Sequence, residues 1–205
     1  EKHGLQANFM AKPFSELSGS GLHIHFSLND SRGENVFASP VNALSSMMRL
    51  CIAGQLALMP ASVAILAPGV NAFRRLRKNL TEPVFNSWGY NTRSAALRIP
   101  CSDESNRRIE YRLAGADANP YLVAATILTG MLYGLEHIDE GDLPEPQHDQ
   151  PELPLFQQEA IEAFARCQYL TDSLGDAFSE QWVACKLSEL DWFERIVTQE
   201  ESHLA

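Results

Sequence analysis

Between Arg107 and Arg112 the sequence Arg-Arg-Ile-Glu-Tyr-Arg alternates charged and apolar side chains. A period of two belongs to a β-strand, on which Arg108, Glu110 and Arg112 share one face while Ile109 and Tyr111 share the other. Two guanidiniums then flank one carboxylate. Charged residues ordinarily lie in solvent, so this segment alone reads as a solvated strand face. A second segment, Leu22-His-Ile-His-Phe-Ser27, repeats the arrangement, with His23, His25 and Ser27 opposed to Leu22, Ile24 and Phe26. Two strands with polar faces point to a lined cleft.

At 205 residues, 45% of them hydrophobic, the chain can bury a real core and lies in the range of one domain, with room for a helical annex. Residues 6–14 and 22–28 read as strands separated by a flexible loop at 15–21, and 29–33 as a turn. Ser39-Pro40 is expected to open a helix through about residue 59, interrupted by Pro60 and continued briefly before Pro68. Residues 94–99 and 108–113 read as two further strands of a long-looped hairpin. Asn119-Pro120 supplies an N-cap and a first helical residue for an apolar helix to about His137. Its apolar run, 121–135, is shorter than the roughly 20 residues that cross a bilayer, so it is expected inside protein, with no membrane as partner.

These elements divide the chain into a domain at 1–138, a linker at 139–154 and helices at 155–205. The linker carries four prolines and six acids, a composition that resists regular structure and reads as surface-lying. Beyond it, 155–167 and 171–198 read as amphipathic helices packed through Phe156, Ile161, Phe164, Phe178, Trp182, Trp192, Phe193 and Ile196.

Charge and cysteines narrow the function. Cys51, Cys101, Cys167 and Cys185 lie far apart with no C-x-x-C pair, which fits reduced thiols in a cytoplasm better than zinc or disulfides. The first residues run straight into a strand-like segment with no signal-peptide pattern, so a mid-fold start is expected. Residues 74–112 hold nine of the sixteen lysines and arginines against four acids, whereas from Asp139 onward sixteen acids face three bases. A net charge of −10 argues against nucleic acid and leaves a small phosphorylated ligand as the better match for the arginine-rich middle.

His23 and His25 project the same way from a strand, as metal ligands or phosphate contacts. Arg93 and Arg98 are five residues apart, which on a flat strand places them on opposite faces. Arg74, Arg75 and Arg77 read equally as a surface helix end or as part of a site. Polyphosphate chemistry needs several arginines around the transferring group and a divalent cation held by carboxylate or imidazole. Burying such charges without a ligand is costly. The concentration of these residues therefore favours a phosphoryl-transfer cleft.

Four blocks extend this reading: Ser18-Gly-Ser-Gly-Leu-His-Ile-His-Phe-Ser-Leu28, Val70-Asn-Ala-Phe-Arg-Arg-Leu76, Trp88-Gly-Tyr-Asn-Thr-Arg-Ser-Ala-Ala-Leu-Arg-Ile-Pro100 and Arg108-Ile-Glu-Tyr-Arg-Leu-Ala-Gly-Ala-Asp-Ala-Asn-Pro-Tyr121. In order, they resemble signature blocks of the glutamine synthetase catalytic domain, in its C-terminal half. The resemblance implies an α+β fold, a largely antiparallel sheet flanked by helices with a C-terminal helical annex, and a homo-oligomeric ring. It implies ATP and Mg2+ or Mn2+ as cofactors, with glutamate and an amine as substrates. By matching positions, His23 and Glu110 resemble metal ligands, and His25, Ser27 and Arg108 nucleotide contacts. Arg93 and Arg98 resemble arginines around the transferred phosphate, and Gly19, Arg75 and Arg112 residues around glutamate.

Two departures shape the expected substrate. Ammonia-using members carry a flap glutamate six residues after the position of Arg75, where this sequence has Thr81 and then Glu82; Ser18 stands where many of them have asparagine. Together with the Trp88-Gly-Tyr-Asn block, this resembles the γ-glutamylpolyamine synthetase branch, with putrescine or a similar amine as acceptor. An ammonia-using enzyme and a non-catalytic relative are the alternatives. The resemblance also implies that further metal carboxylates precede Glu1, so these 205 residues alone are expected to be inactive.

Overall fold

The computed structural model describes residues 2–40, 43–78, 82–146, 150–199 and 201. Three of its four strands carry the polar faces. β1 (Ile24–Phe26), β2 (Trp88–Tyr90), β3 (Leu97–Ile99) and β4 (Ile109–Tyr111) form one sheet in the order β1-β4-β3-β2. The β1–β4 and β3–β4 pairings are antiparallel and β2–β3 is parallel. Alternation sends Leu97, Ile99, Ile109 and Tyr111 into the core, all at most 1% exposed.

Helices cover that apolar face. α1 (Ser46–Leu66) and α3 (Pro120–His137), separated in sequence by the short α2 (Val70–Arg75), cross with their backbones in contact. A Cβ on Gly54 would overlap the Gly130 carbonyl, and one on Gly134 the Leu50 carbonyl, so glycine is what permits the close approach. Gln55 Nε2 also donates to the Ile127 carbonyl at 2.5 Å. α1 is long and apolar enough to span a bilayer by length and composition, but 78% of its apolar window is buried inside the fold.

The helix starting at Ser39-Pro40 is a correction: α1 begins at Ser46, with Ser45 Oγ accepting from Met48 N–H at 3.2 Å. Pro60 does not interrupt it either. Proline removes the N–H that would bond the carbonyl of residue 56, and Asn86 Nδ2 takes over that acceptor, donating to Leu56 O at 2.9 Å. Residues 6–14 form no strand; Phe9 and Phe14 are exposed, the chain bends at 11, 13 and 14, and the segment has no ladder partner among the described residues. β2 was not anticipated: its parallel pairing needs a six-residue connection in which Asn91 adopts φ +50.

The proline-rich segment is tied down. Trp88 Nε1 donates to Pro144 O, Asn86 N to Pro151 O and Leu153 N to Val84 O, with Leu143 and Leu153 buried. Beyond it, α4 (Gln157–Arg166) packs on α1 through Ala160, Ile161 and Phe164. The single helix expected over 171–198 is two, α5 (Gln168–Leu174) and α6 (Asp176–Glu194), because Gly175 turns the chain at φ +92. Phe156, Trp192 and Ile196, expected in the packing, are exposed; Arg77 covers Phe156 and Arg74 covers Phe193 by stacking over the rings.

Candidate active site

Strand pairing builds the site in rows. His25 on β1, Glu110 on β4 and Arg98 on β3 stand side by side across the sheet, on the face opposite Ile24, Tyr111 and Leu97. Continuing the β1–β4 register by one residue brings His23 opposite Arg112.

Glu110 is the centre of this arrangement, with only 3% of its side chain exposed. Its Oε1 accepts from Arg112 Nη1 and its Oε2 from Arg98 Nη1, both at 2.6 Å. His23 Nδ1 lies 3.2 Å from Oε1, and His25 Nε2 lies 4.0 Å from it. Burial would raise the Glu110 pKa, but the Arg98 hydrogen bond and the charge and hydrogen bond of Arg112 outweigh it, holding the carboxyl below its ordinary value. Burial first, then the Arg112 charge, depress His23 against the opposing pull of Glu110. The shift favours the neutral imidazole, the form a metal ion requires.

Second contacts hold these groups. Arg98 Nη2 donates to Asn91 Oδ1 at 2.6 Å. Asn91 was missed in the sequence; its signal is an asparagine in a turn, a residue type that tolerates its positive φ. Arg108 Nε donates to His25 Nδ1 at 3.2 Å, which places the imidazole proton on Nε2. Arg75 is 1% exposed and donates from Nη2 to Leu113 O. Burial lowers its pKa, opposed by the charges of Glu82 and Asp117. A Cβ on Gly19 would lie 2.6 Å from Arg75 Cγ, so this loop rests on the arginine only because the residue is glycine. Gly21 joins the two halves, since a Cβ there would lie 3.5 Å from His23 Nε2 and 3.7 Å from Arg75 Nη1.

The structure thus brings His23, His25, Arg98, Arg108, Glu110 and Arg112 into one network, with Gly19 and Arg75 adjoining. Ser27 and Arg108 line a neighbouring cleft of about 820 Å³, within the size range of small-molecule sites. Arg93 stands apart: it is exposed in the loop before β3, so strand parity does not govern its direction. Thr81 lies outside the described residues.

The donor capacity exceeds what the chain itself uses. The Nε atoms of Arg75, Arg98 and Arg112 are buried without partners. Arg98 and Arg112, two guanidiniums on the single carboxylate of Glu110, leave a local excess of positive charge suited to an anion. The fit to a divalent cation is incomplete: His23 and Glu110 offer two adjacent donors, while the described residues contain no group of three His, Cys, Asp or Glu that could hold a metal. A Mg2+ ion takes six ligands, so this pair alone would leave most of such a shell unfilled.

The chain is similar to several known proteins. Residues 1–204 match the family model described as glutamine synthetase, catalytic domain. The chain is 44% identical over 207 residues to γ-glutamylputrescine synthetase PuuA of Escherichia coli K12, covering 98% of this chain and 43% of that protein. It is 44% identical over 138 residues to a glutamate–isopropylamine ligase of Pseudomonas sp, covering 66% of this chain and 30% of that protein. The glutamine synthetase of Pyrococcus woesei is 34% identical over 216 residues, covering 100% of this chain and 48% of its own length. Among solved structures, GmaS in complex with ADP superposes with a TM-score of 0.88 at 29% identity, covering 100% of this chain and 50% of that one. The chain spans about half the length of the relatives it matches over its full extent.

Proposed function

The chain belongs to the glutamine synthetase family, and from that premise we propose that it forms the phosphate- and glutamate-handling part of an ATP-dependent glutamate–amine ligase. The observation that carries this reading is the buried Glu110 carboxylate held between Arg98 and Arg112 with His23 beside it. A glutamate γ-carboxylate oxygen attacks the γ-phosphorus of ATP, the bond to the bridging oxygen breaks and ADP leaves. An amine nitrogen then attacks the acyl carbon, inorganic phosphate departs and the nitrogen loses a proton.

Each residue has a part in this reading. Arg98 and Arg93 neutralise the transferring phosphoryl group, which spreads negative charge over its oxygens. His25, Ser27 and Arg108 hold the nucleotide in the adjoining cleft. Arg75 and Arg112 bind glutamate, with Gly19 giving the loop its close approach. His23 and Glu110 contribute ligands to Mg2+ or Mn2+, which would neutralise phosphate charge when bound.

A larger amine is favoured over ammonium as acceptor. Identity to PuuA exceeds identity to the Pyrococcus enzyme, 44% against 34%, and threonine stands at the flap position. With two metal donors among the described residues, the 205 residues alone are not expected to turn over. The full-length ligase is expected to be a homo-oligomer.

Hydroxylamine capture tests the chemistry. A full-length ligase containing these residues, given ATP, Mg2+ and glutamate, should yield γ-glutamyl hydroxamate in step with ADP. ADP formation with no hydroxamate, or no glutamate dependence, would count against an acyl phosphate.

A further inference from the structure

The cleft shared by Ser27 and Arg108 has two walls far apart in sequence, residues 27–38 and residues 104–108. They are fastened twice, in opposite directions. Asn35 Nδ2 donates to Ser105 O at 3.0 Å and to Arg107 O at 2.7 Å, while its Oδ1 accepts from Phe37 N–H at 2.9 Å. Arg107 Nη2 returns the connection, donating to Ser39 O at 3.0 Å and Pro40 O at 3.1 Å. Each wall therefore contributes one side chain and receives the other's through backbone carbonyls.

The second fastening is costly to build. Arg107 is 3% exposed, its side chain donates to the carbonyls of Ser39 and Pro40 rather than to a carboxylate, and its Nε is buried without a partner. Burying a guanidinium on carbonyls alone is unfavourable against an apolar replacement. What the arrangement provides is position. Arg107 is the immediate neighbour of Arg108, whose Nη1 donates to Asn106 O and whose Nε donates to His25.

We propose that Asn35 and Arg107 are positioning residues for nucleotide binding, a reciprocal latch that fixes the spacing of the cleft walls and the placement of Arg108. The proposal rests on the assignment of this cleft to the nucleotide. Asn35 lines the cleft with both ends of its amide engaged in the latch, and Arg107 lies outside the lining. Pre-organised walls spare the bound state the ordering of two loops.

Asn35→Asp separates the latch from bulk. Aspartate keeps the acceptor for Phe37 N–H and the shape of the side chain but has no N–H for Ser105 O and Arg107 O. Calorimetric titration of magnesium ADP into the 205-residue chain, with hydrogen exchange read by mass spectrometry, gives the test. Asn35→Asp and Arg107→Met should each weaken ADP binding about tenfold, with faster exchange confined to 34–40 and 102–107. In the full-length ligase the KM for ATP should rise while kcat stays within about twofold. Glu180→Gln on α6 should leave ADP binding unchanged. Unchanged ADP affinity in Asn35→Asp, with wild type binding normally, would overturn the latch alone. Failure of the wild-type chain to bind ADP would overturn the nucleotide assignment and the latch with it. A variant that lowers Tm but leaves ADP affinity intact would show a structural role only and also overturn the proposal.

Discussion

Glu110 and Arg98 are cross-strand partners, directly opposite one another in the β3–β4 pairing and joined by a 2.6 Å hydrogen bond from Arg98 Nη1 to Glu110 Oε2. Arg112, two residues along β4 on the same face, takes the other carboxylate oxygen. One strand register thus places in contact Arg98, Glu110 and Arg112, the residues proposed for phosphate, metal and glutamate.

Removing the carboxylate should therefore harm stability more than removing one arginine. Glu110→Ala leaves Arg112, 7% exposed, without its partner, and breaking a buried pair on one side costs about 3–5 kcal/mol. Arg98→Ala should cost less, because Arg112 still neutralises Glu110 and the Arg98 side chain is 21% exposed. Urea unfolding of both variants gives the order.

Asn86→Ala should expose the weak point of α1. The Leu56 carbonyl that Pro60 leaves free would lose its donor, and an unsatisfied buried acceptor costs about 1–3 kcal/mol. Adding Pro60→Ala restores a helical N–H for that carbonyl, so the double variant should recover most of the loss. A double-mutant cycle measures this coupling.

Gly134→Ala should separate α1 from α3. The added methyl would meet the Leu50 carbonyl, and such overpacking costs about 1–3 kcal/mol or more. Thermal melts should show a lower Tm than Gly141→Ala, where the space is open.

Asp117 gives a pH dependence of stability. Burial raises its pKa, against weaker opposing effects that include the charges of Arg75 and Lys186. For a carboxyl raised in the fold, ionisation is disfavoured there, so this group's penalty is present above the folded pKa and relieved as pH falls towards the ordinary value near 4. Asp117→Asn should raise Tm at pH 7, and that advantage should shrink as the pH approaches 4.

Much of the site was legible because strand alternation is local. His23 with His25, and Arg108 with Glu110 and Arg112, follow from a period of two and stand on one sheet face as expected. Arg93 resisted that logic because it lies in a loop, where spacing does not set direction. The α3 boundary was readable from Asn119-Pro120, whereas Pro60 misled because its remedy, Asn86, lies 30 residues away. Residues 6–14 have the composition of a strand but pair with none among the described residues; composition does not supply a partner. Arg107 is buried on the carbonyls of Ser39 and Pro40, a contact that only the tertiary fold reveals.

The proposed activity is that of a glutamate ligase that prefers a larger amine to ammonium. Phosphate release by the full-length ligase, with ATP, Mg2+ and glutamate held constant, should be compared across ammonium, ethylamine, 1,4-diaminobutane and spermidine. The kcat/KM for 1,4-diaminobutane or another alkyl amine should be at least tenfold above that for ammonium. A higher value for ammonium than for every amine would contradict it.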